Sequence, residues 1–244
     1  GINRATRLLG HLSLHDKDYT TTMRLGVSTV TDDAEGDVTS TTDASGIDDA
    51  AILAAMARQT GEIQQVPTAV SAIKINGQRA YAKVRAGEDV VLQPRAVTVS
   101  RFEATETRRH DEMIDVDVEV TCSSGTYVRA LARDVGADLG VGGHLTALRR
   151  TRIGPFDLTA ACPDIFADDA DAPAPMTMAE AARLSFPVVE VTDDQEAAIR
   201  VGRRVDMIVP ADVTAMIAGT GEMLALYRPD GERRGQSRAI CVLV

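Results

Sequence analysis

The sequence predicts a protein of mixed helices and strands in two parts. Three observations carry this reading. The stretch "MIDVDVEV" (113–120) alternates without fault, with Ile114, Val116, Val118 and Val120 set toward a core and Asp115, Asp117 and Glu119 toward water, which is the signature of a half-buried strand. The stretch "YVRALARDVGADLG" (127–140) instead repeats its apolar residues at helical spacing, with Val128, Leu131, Val135 and Leu139 in one stripe and Arg129 and Arg133 roughly opposite, facing outward. After the acidic, proline-containing segment 164–177 the pattern changes to short strands and turns over about sixty residues. A chain of 244 residues and 26.0 kDa is long enough for two domains, each with its own core.

Taken in order, "GINRATRLLGHL" places Ile2, Ala5, Leu8, Leu9 and Leu12 at helical spacing, so the sequence reads as opening inside a helix, with further chain expected upstream. "DYTTTMRLG" is a threonine-rich strand with Tyr19, Thr21, Met23 and Leu25 on one side, ending at Gly26 before the turn-like "TDDAEGD". "SGIDDAAILAAMARQTG" is an alanine-rich amphipathic helix with Ser45 or Asp48 near its start and Gly61 at its stop. "AVTVSRFEATE" is a strand expected to neighbour 113–120. The turn "CSSGT" leads into the helix at 127, and after the glycines of "GVGG" comes "HLTALRRTRIG". That segment reads as a strand with Ala147, Arg149, Thr151 and Ile153 on one face and Leu148, Arg150 and Arg152 on the other.

Composition removes several function classes. No run of eighteen apolar residues occurs, so no membrane span is expected, and no leader pattern opens the sequence. Cys122, Cys162 and Cys241 are odd in number and far apart, which fits neither a disulfide framework nor a metal-spaced pair; a reducing cytoplasm is expected. The four histidines are scattered, and no metal is assigned. No glycine-rich phosphate loop and no nucleophilic Ser or Cys with a matched base appears, so phosphotransfer and hydrolysis lack residues.

Net charge is −10, with a pI near 4.9, yet the bases are unevenly spread. Residues 155–244 carry 15 acids and 8 bases, whereas residues 74–95 hold five bases against two acids, and 125–154 five arginines against two aspartates. The whole-chain charge argues against a nonspecific nucleic-acid coat, and the two positive patches read either as solvated faces or as a local polyanion contact, which a second, independent sign must decide. Arg149 is the most informative position, because a guanidinium at the end of a sheet needs a carboxylate, a phosphate or water.

Five ordered blocks then carry a resemblance over nearly the whole chain: "GINRATRLL" with "HDKDYTTTMRLG", "TDDAEG", "GEIQQVPTAVSAIKINGQRAYAKVRAG", "CSSGTYVRALARDVGADLG" and "GGHLTALRRTRIGPF". Together they resemble the bacterial TruB-type tRNA pseudouridine synthases. The resemblance implies an α+β core over 1–184, a mixed and mostly antiparallel sheet flanked by helices, followed by a small β-rich PUA-like module over 185–244. It implies conversion of uridine 55 in the T-arm loop of tRNA to pseudouridine, without metal or organic cofactor, by a monomeric cytoplasmic isomerase. Tyr19 matches the tyrosine whose ring stacks on the target base, which suits an enzyme that takes a base out of its stack. Arg149 matches the arginine that pairs with the catalytic aspartate. Tyr127 and Arg129 match a block bordering the same cleft. Lys17 lies in the tyrosine block. Residues 69–95 match an RNA clamp in which Lys74, Arg79, Lys83 and Arg85 would meet phosphates.

The block holding the family's nucleophilic aspartate has no counterpart in these residues, and neither Asp16 nor Asp18 is promoted in its place. The expectation is that these 244 residues alone bind RNA weakly and do not turn over. Ala147 departs from members that carry tyrosine there. The competing reading is a noncatalytic RNA-binding or RNA-folding protein derived from the same family.

Overall fold

The computed structural model describes residues 1–13, 15–68, 74–75, 78–79, 92–161 and 174–244. The chain forms two compact units, one of His15–Ile153 and one that joins Gly1–Leu14 to Gly154–Val244. The opening segment is helical, as its spacing predicts, but as a 3-10 turn (Asn3–Leu8) running into a single α turn, α1 (Leu9–Leu12).

In the unit His15–Ile153, β1 (Lys17–Leu25) is followed by the short ladder β2 (Val27–Thr29) and β3 (Val38–Thr41), then α2 (Asp49–Arg58) and β4 (Gly61–Gln65). Lys74–Ile75 (β5) and Gln78–Arg79 (β6) pair antiparallel. The long strands β7 (Arg95–His110) and β8 (Met113–Cys122) come next, then α3 (Val128–Asp138) and β9 (Gly143–Ile153). The sheet runs β9-β1-β8-β7-β4, and all four of these pairings are antiparallel. Strands 96–106 and 113–120 are neighbours as expected.

One face of this sheet is the core. Met23, Leu25, Ile114, Val116, Val118 and Val120 project onto α2 and α3, which supply Ile52, Met56, Leu131 and Val135, all buried. Each such side chain contributes about 1.5–3 kcal/mol relative to exposure. Asp48 caps α2, its carboxylate accepting from the Ala51 amide at 2.7 Å. Behind α3 the chain reverses so tightly that a Cβ on Gly136 would lie 2.2 Å from the Gly142 carbonyl carbon, and Gly142 itself holds φ +77°. This reversal delivers β9 to the edge of β1.

Two orientations differ from expectation. Asp115 was expected to face water; it is 6% exposed, because Arg24 on the neighbouring strand binds it through Nε and Nη2 at 2.7 Å each. Arg129 and Arg133 were expected to face outward; each instead lies against acids of the 31–33 turn. An alternating or helical pattern fixes a residue's face but not what covers that face.

The other unit contains β10 (Phe156–Asp157), α4 (Met178–Ser185), β11 (Val188–Val191), α5 (Asp193–Arg200), β12 (Thr214–Ala218), β13 (Met223–Pro229) and β14 (Ser237–Val242). Its sheet runs β11-β12-β13-β14, with β11–β12 parallel and the other pairs antiparallel. Both helices begin on threonine capping boxes, Thr177 with Glu180 and Thr192 with Gln195. Met216, Leu224 and Tyr227 pack on one side of this sheet, and Leu226, Met223 and Leu243, with Leu8, on the other. The α+β class, a mostly antiparallel sheet with flanking helices and a β-rich C-terminal part, is as the sequence predicts.

Candidate active site

The site begins with the pairing of β1 and β9. Their register sets Thr20 opposite Arg149, Tyr19 opposite Arg150 and Asp18 opposite Arg152, with a shift between Asp18 and Tyr19. Directly opposed residues of an antiparallel pair share a face and successive residues alternate. Tyr19 and Arg150 therefore share one face, and Arg149 shares the other with Thr20. The Tyr19 ring packs against the core cluster. Burial pushes its phenol pKa up and the nearby Cys122 thiol adds to this, while a hydrogen bond with Arg150 pulls the other way.

Arg149 is exposed and lines a hollow of about 420 Å³ with Thr20, Thr22, Asp117, Glu119 and Ala147. The two carboxylates there are already engaged. Asp117 accepts from Arg108 at 2.6 and 2.8 Å and from the Thr22 hydroxyl at 2.6 Å, which holds its pKa down at about 2. Glu119 lies 2.6 Å from Arg101. Among the described residues, no carboxylate pairs with Arg149.

An adjoining hollow of about 340 Å³ shares Ala147 and Leu148 with the first and is lined further by Asp33, Glu35 and Arg129. Arg129 donates to Asp33 at 2.6 Å and to the Thr31 carbonyl at 3.1 Å. Partial burial pushes the Asp33 pKa up, but hydrogen bonds from Thr31, Arg129 and the Glu35 amide outweigh it, and the net shift is downward. One turn along α3, Arg133 reaches Asp32 at 3.3 Å, Asp134 at 2.8 Å and the Val66 carbonyl at 2.7 Å. Asp32 is pushed up by burial, with Arg133 opposing. A third hollow, of about 280 Å³, shares Thr20 and Glu119 with the first and is lined by Asp18, Tyr19 and Arg101. The three hollows share lining residues, but the Tyr19 side chain itself lies on the face opposite Arg149.

The remaining expected residues are placed as follows. Tyr127 is the residue before α3, and its backbone is gripped by the buried Gln65, which accepts from the Tyr127 amide at 2.8 Å and donates to its carbonyl at 3.1 Å. Lys17 donates to the His15 carbonyl at 2.8 Å, and burial lowers its pKa. Lys74 and Arg79 stand opposite each other in the β5–β6 ladder. Lys83 and Arg85 lie outside the described residues. Asp18 is bound by Arg152 at 2.6 and 2.8 Å, which lowers its pKa. Sequence reasoning assigned no role to Asp32, Asp33 or Arg150. The signal for the aspartates was the acid doublet in "TDDAEG", which matches two arginines four residues apart on α3. Among the described residues, no group of three or more His, Cys, Asp or Glu could hold a metal, and no helix is long and apolar enough to cross a membrane.

A family profile described as TruB family pseudouridylate synthase, N-terminal domain, matches residues 1–128, and one described as tRNA pseudouridylate synthase B C-terminal domain matches 129–164. The chain belongs to the TruB family. It is thereby a member of a pseudouridine synthase family, whose members are isomerases. Among TruB relatives, it is 83% identical to the tRNA pseudouridine synthase B of Cutibacterium acnes, over 100% of this chain and 83% of that protein. It is 52% identical to the protein of the same name from Nocardia farcinica, over 96% of this chain and 76% of that one. In fold it resembles a chain of a Cbf5-Nop10-Gar1 complex, with TM-score 0.63 and 24% identity over 98% of this chain and 68% of the other. It also resembles a chain of an H/ACA RNP bound to a substrate RNA containing 2'-deoxyuridine, with TM-score 0.60 and 23% identity over 99% and 68%. At these identities the two structures bear on fold alone.

Proposed function

We propose that this protein converts uridine 55 in the T-arm loop of tRNA to pseudouridine. The observation that carries the reading is the state of the five arginines in 125–154. Arg129, Arg133 and Arg152 are paired with Asp33, Asp32 and Asp18, whereas Arg149 and Arg150 make no ion pair among the described residues. Of these two, Arg149 lines a polar hollow whose own carboxylates, Asp117 and Glu119, are held by Arg108 and Arg101. A guanidinium so placed is ready to orient and keep ionised a carboxylate that attacks the nucleoside. That nucleophile is not assigned to any of the 244 residues, and Asp18 is unsuited because Arg152 occupies it.

In the isomerisation the bond between the ribose carbon and uracil N1 breaks, the ring turns, and a bond forms to uracil C5. The C5 proton leaves and N1 gains one, so composition is unchanged. The Tyr19 ring would carry the base face and Arg149 the anion. Because they lie on opposite faces of the sheet, they cannot contact the same atom in this arrangement, and each assignment is tested separately. Tyr127, Arg129 and Lys17 would border the cleft, and the clamp at 69–95, with Lys74, Arg79, Lys83 and Arg85, would meet backbone phosphates. The relatives named tRNA pseudouridine synthase B support the tRNA substrate. The reading includes a cytoplasmic monomer, free of metal and organic cofactor, with a catalytic part over 1–184 and a PUA-like part over 185–244.

The test uses the protein as its gene encodes it and a tRNA transcript labelled with tritium at uracil C5. Release of tritium is expected, and none from a transcript carrying cytidine at position 55. Tight tRNA binding with no release would instead establish the noncatalytic RNA-binding reading.

A further inference from the structure

We infer that Asp32 is a positioning residue: it pins the register of β9 beside a bulge and so fixes the face of the sheet on which Arg149 stands. This rests on the proposed function, since it concerns the guanidinium that the reaction would use.

The β1–β9 ladder departs from regular register at two places. Met23 lies opposite Leu145 and Thr22 opposite Ala147, so Thr146 is an extra residue on β9; Tyr19 lies opposite Arg150 and Asp18 opposite Arg152, so Thr151 is another. The segment 147–150 is bracketed by these two bulges. If it slipped by one residue and took up Thr146, Arg149 would come opposite Tyr19 instead of Thr20. Side chains alternate along a strand, so the slip would turn Arg149 to the other face, out of the hollow it lines with Thr20, Asp117 and Glu119. Burial does not guard against this. Ala147, Leu148, Arg149 and Arg150 are all exposed, Leu148 by 47%, so turning the segment over only exchanges one exposed side chain for another. The register has to be held from outside the ladder.

The 31–33 turn supplies that hold on the edge of β9 away from β1. The Leu145 amide donates to the Asp32 carbonyl at 3.1 Å, and Asp33 forms a parallel bridge with Leu145. Leu145 is itself buried in the core cluster, so a fixed point stands directly before the bulge. In presenting its carbonyl there, Asp32 holds φ +58°, a left-handed conformation that Asp and Asn tolerate better than other side-chain-bearing residues. The carboxylate of Asp32 anchors the turn on its other side. It accepts from Arg133 at 3.3 Å, and the same guanidinium donates to Asp134 at 2.8 Å and to the Val66 carbonyl at 2.7 Å. Asp32 therefore ties β9 to α3 and to the residue after β4, and its effect on Arg149 needs no contact with the nucleotide.

The experiment uses the protein as its gene encodes it, in excess over tRNA labelled with tritium at uracil C5, and reads the single-turnover rate constant of tritium release at saturation. A fraction of unfolded molecules does not change that constant, so a merely structural role would not move it. Misplacing a reacting group by about 1 Å can cost about a hundredfold, and Asp32→Ala is expected to slow release by about tenfold or more, with the Kd for tRNA within about twofold of the parent's. Asp32→Asn keeps both the left-handed backbone and an oxygen for Arg133, and should recover most of the rate. Asp32→Gly keeps the backbone alone and should be as slow as Asp32→Ala. Asp138→Asn breaks the pair with Arg58 at the other end of α3 and should leave the rate unchanged. A parental rate in Asp32→Ala or Asp32→Gly would overturn the inference, as would an Asp32→Asn no faster than Asp32→Ala or an equal fall in Asp138→Asn. If Asp32→Ala does not fold, Arg133→Gln decides: slowed release at unchanged Kd supports the role of Asp32, and the parental rate overturns it. A parent that releases no tritium defeats the proposed function itself, whereas a parent that turns over and an Asp32→Ala that keeps pace with it defeat only the role of Asp32.

Discussion

Arg149 and Arg133 sit 16 residues apart in one basic stretch, yet their substitution should have opposite consequences. Arg149 is exposed and unpaired among the described residues, so Arg149→Gln should leave the unfolding midpoint in urea within experimental error. If the guanidinium serves the reacting carboxylate, the same change should lower kcat by at least about a hundredfold. Arg133 is the cation for Asp32, which is 8% exposed and already pushed toward its neutral form by burial. Arg133→Ala should cost about 1–3 kcal/mol by leaving that carboxylate without its partner, read as a lower urea midpoint at unchanged slope. Asp32→Asn should cost less, since it removes the charge along with the pair. The sequence identified Arg149 through its block and by the general need of a guanidinium for an anion. It could not have ranked Arg149 against Arg150 by side. The register shift between Asp18 and Tyr19 changes which β9 residue faces the tyrosine, and a period-two pattern carries no sign of a bulge.

The elements were more legible than their partners. Strand 113–120 and helix 127–140 declare themselves by period alone, and both stand where the sequence places them. What covers their polar faces depends on residues far along the chain, such as Arg24 over Asp115 and Thr22 with Arg108 over Asp117. That last cluster has a pH signature. The Asp117 carboxyl is held at about 2 against an ordinary 3.8 because Arg108 and then Thr22 hydrogen-bond its ionised form. A depressed folded value means the contribution is complete above about pH 4 and is lost as pH falls toward 2. Stability of the parent should therefore fall more steeply across that window than stability of Asp117→Asn, measured by denaturant unfolding at each pH. Helix α3 offers a second contrast. Propensity says that Ala should replace a mid-helix Gly136 with a gain of about 1 kcal/mol. The structure says the reverse, because the new Cβ would meet Gly142 and Gly143 backbone at 2.2 and 2.3 Å. Gly136→Ala should lower Tm and disturb the reversal that delivers β9 to β1, at a cost of about 1–3 kcal/mol or more.

At the scale of the whole molecule, a net charge of −10 repels a polyanion at long range, so affinity for RNA must come from short-range basic contacts. Such binding is steeply dependent on salt, because each phosphate contact releases condensed counterions. The sequence pointed to two basic stretches, and they meet different fates. In 125–154 three of the five arginines are spent on Asp33, Asp32 and Asp18, so that stretch builds the site more than it attracts RNA. The stretch 74–95, with five bases against two acids, is then the main source of phosphate contacts in the proposed function. Lys83→Ala/Arg85→Ala should accordingly weaken tRNA binding about tenfold or more near 0.1 M salt and reduce the salt slope by about two. Turnover at saturating tRNA should stay near that of the parent, because these residues supply affinity rather than chemistry. Filter binding across a salt series with single-turnover tritium release measures both. An unchanged slope would remove this stretch from the RNA contact, and a fall in the saturated rate would place it nearer the reacting nucleotide than a clamp should be.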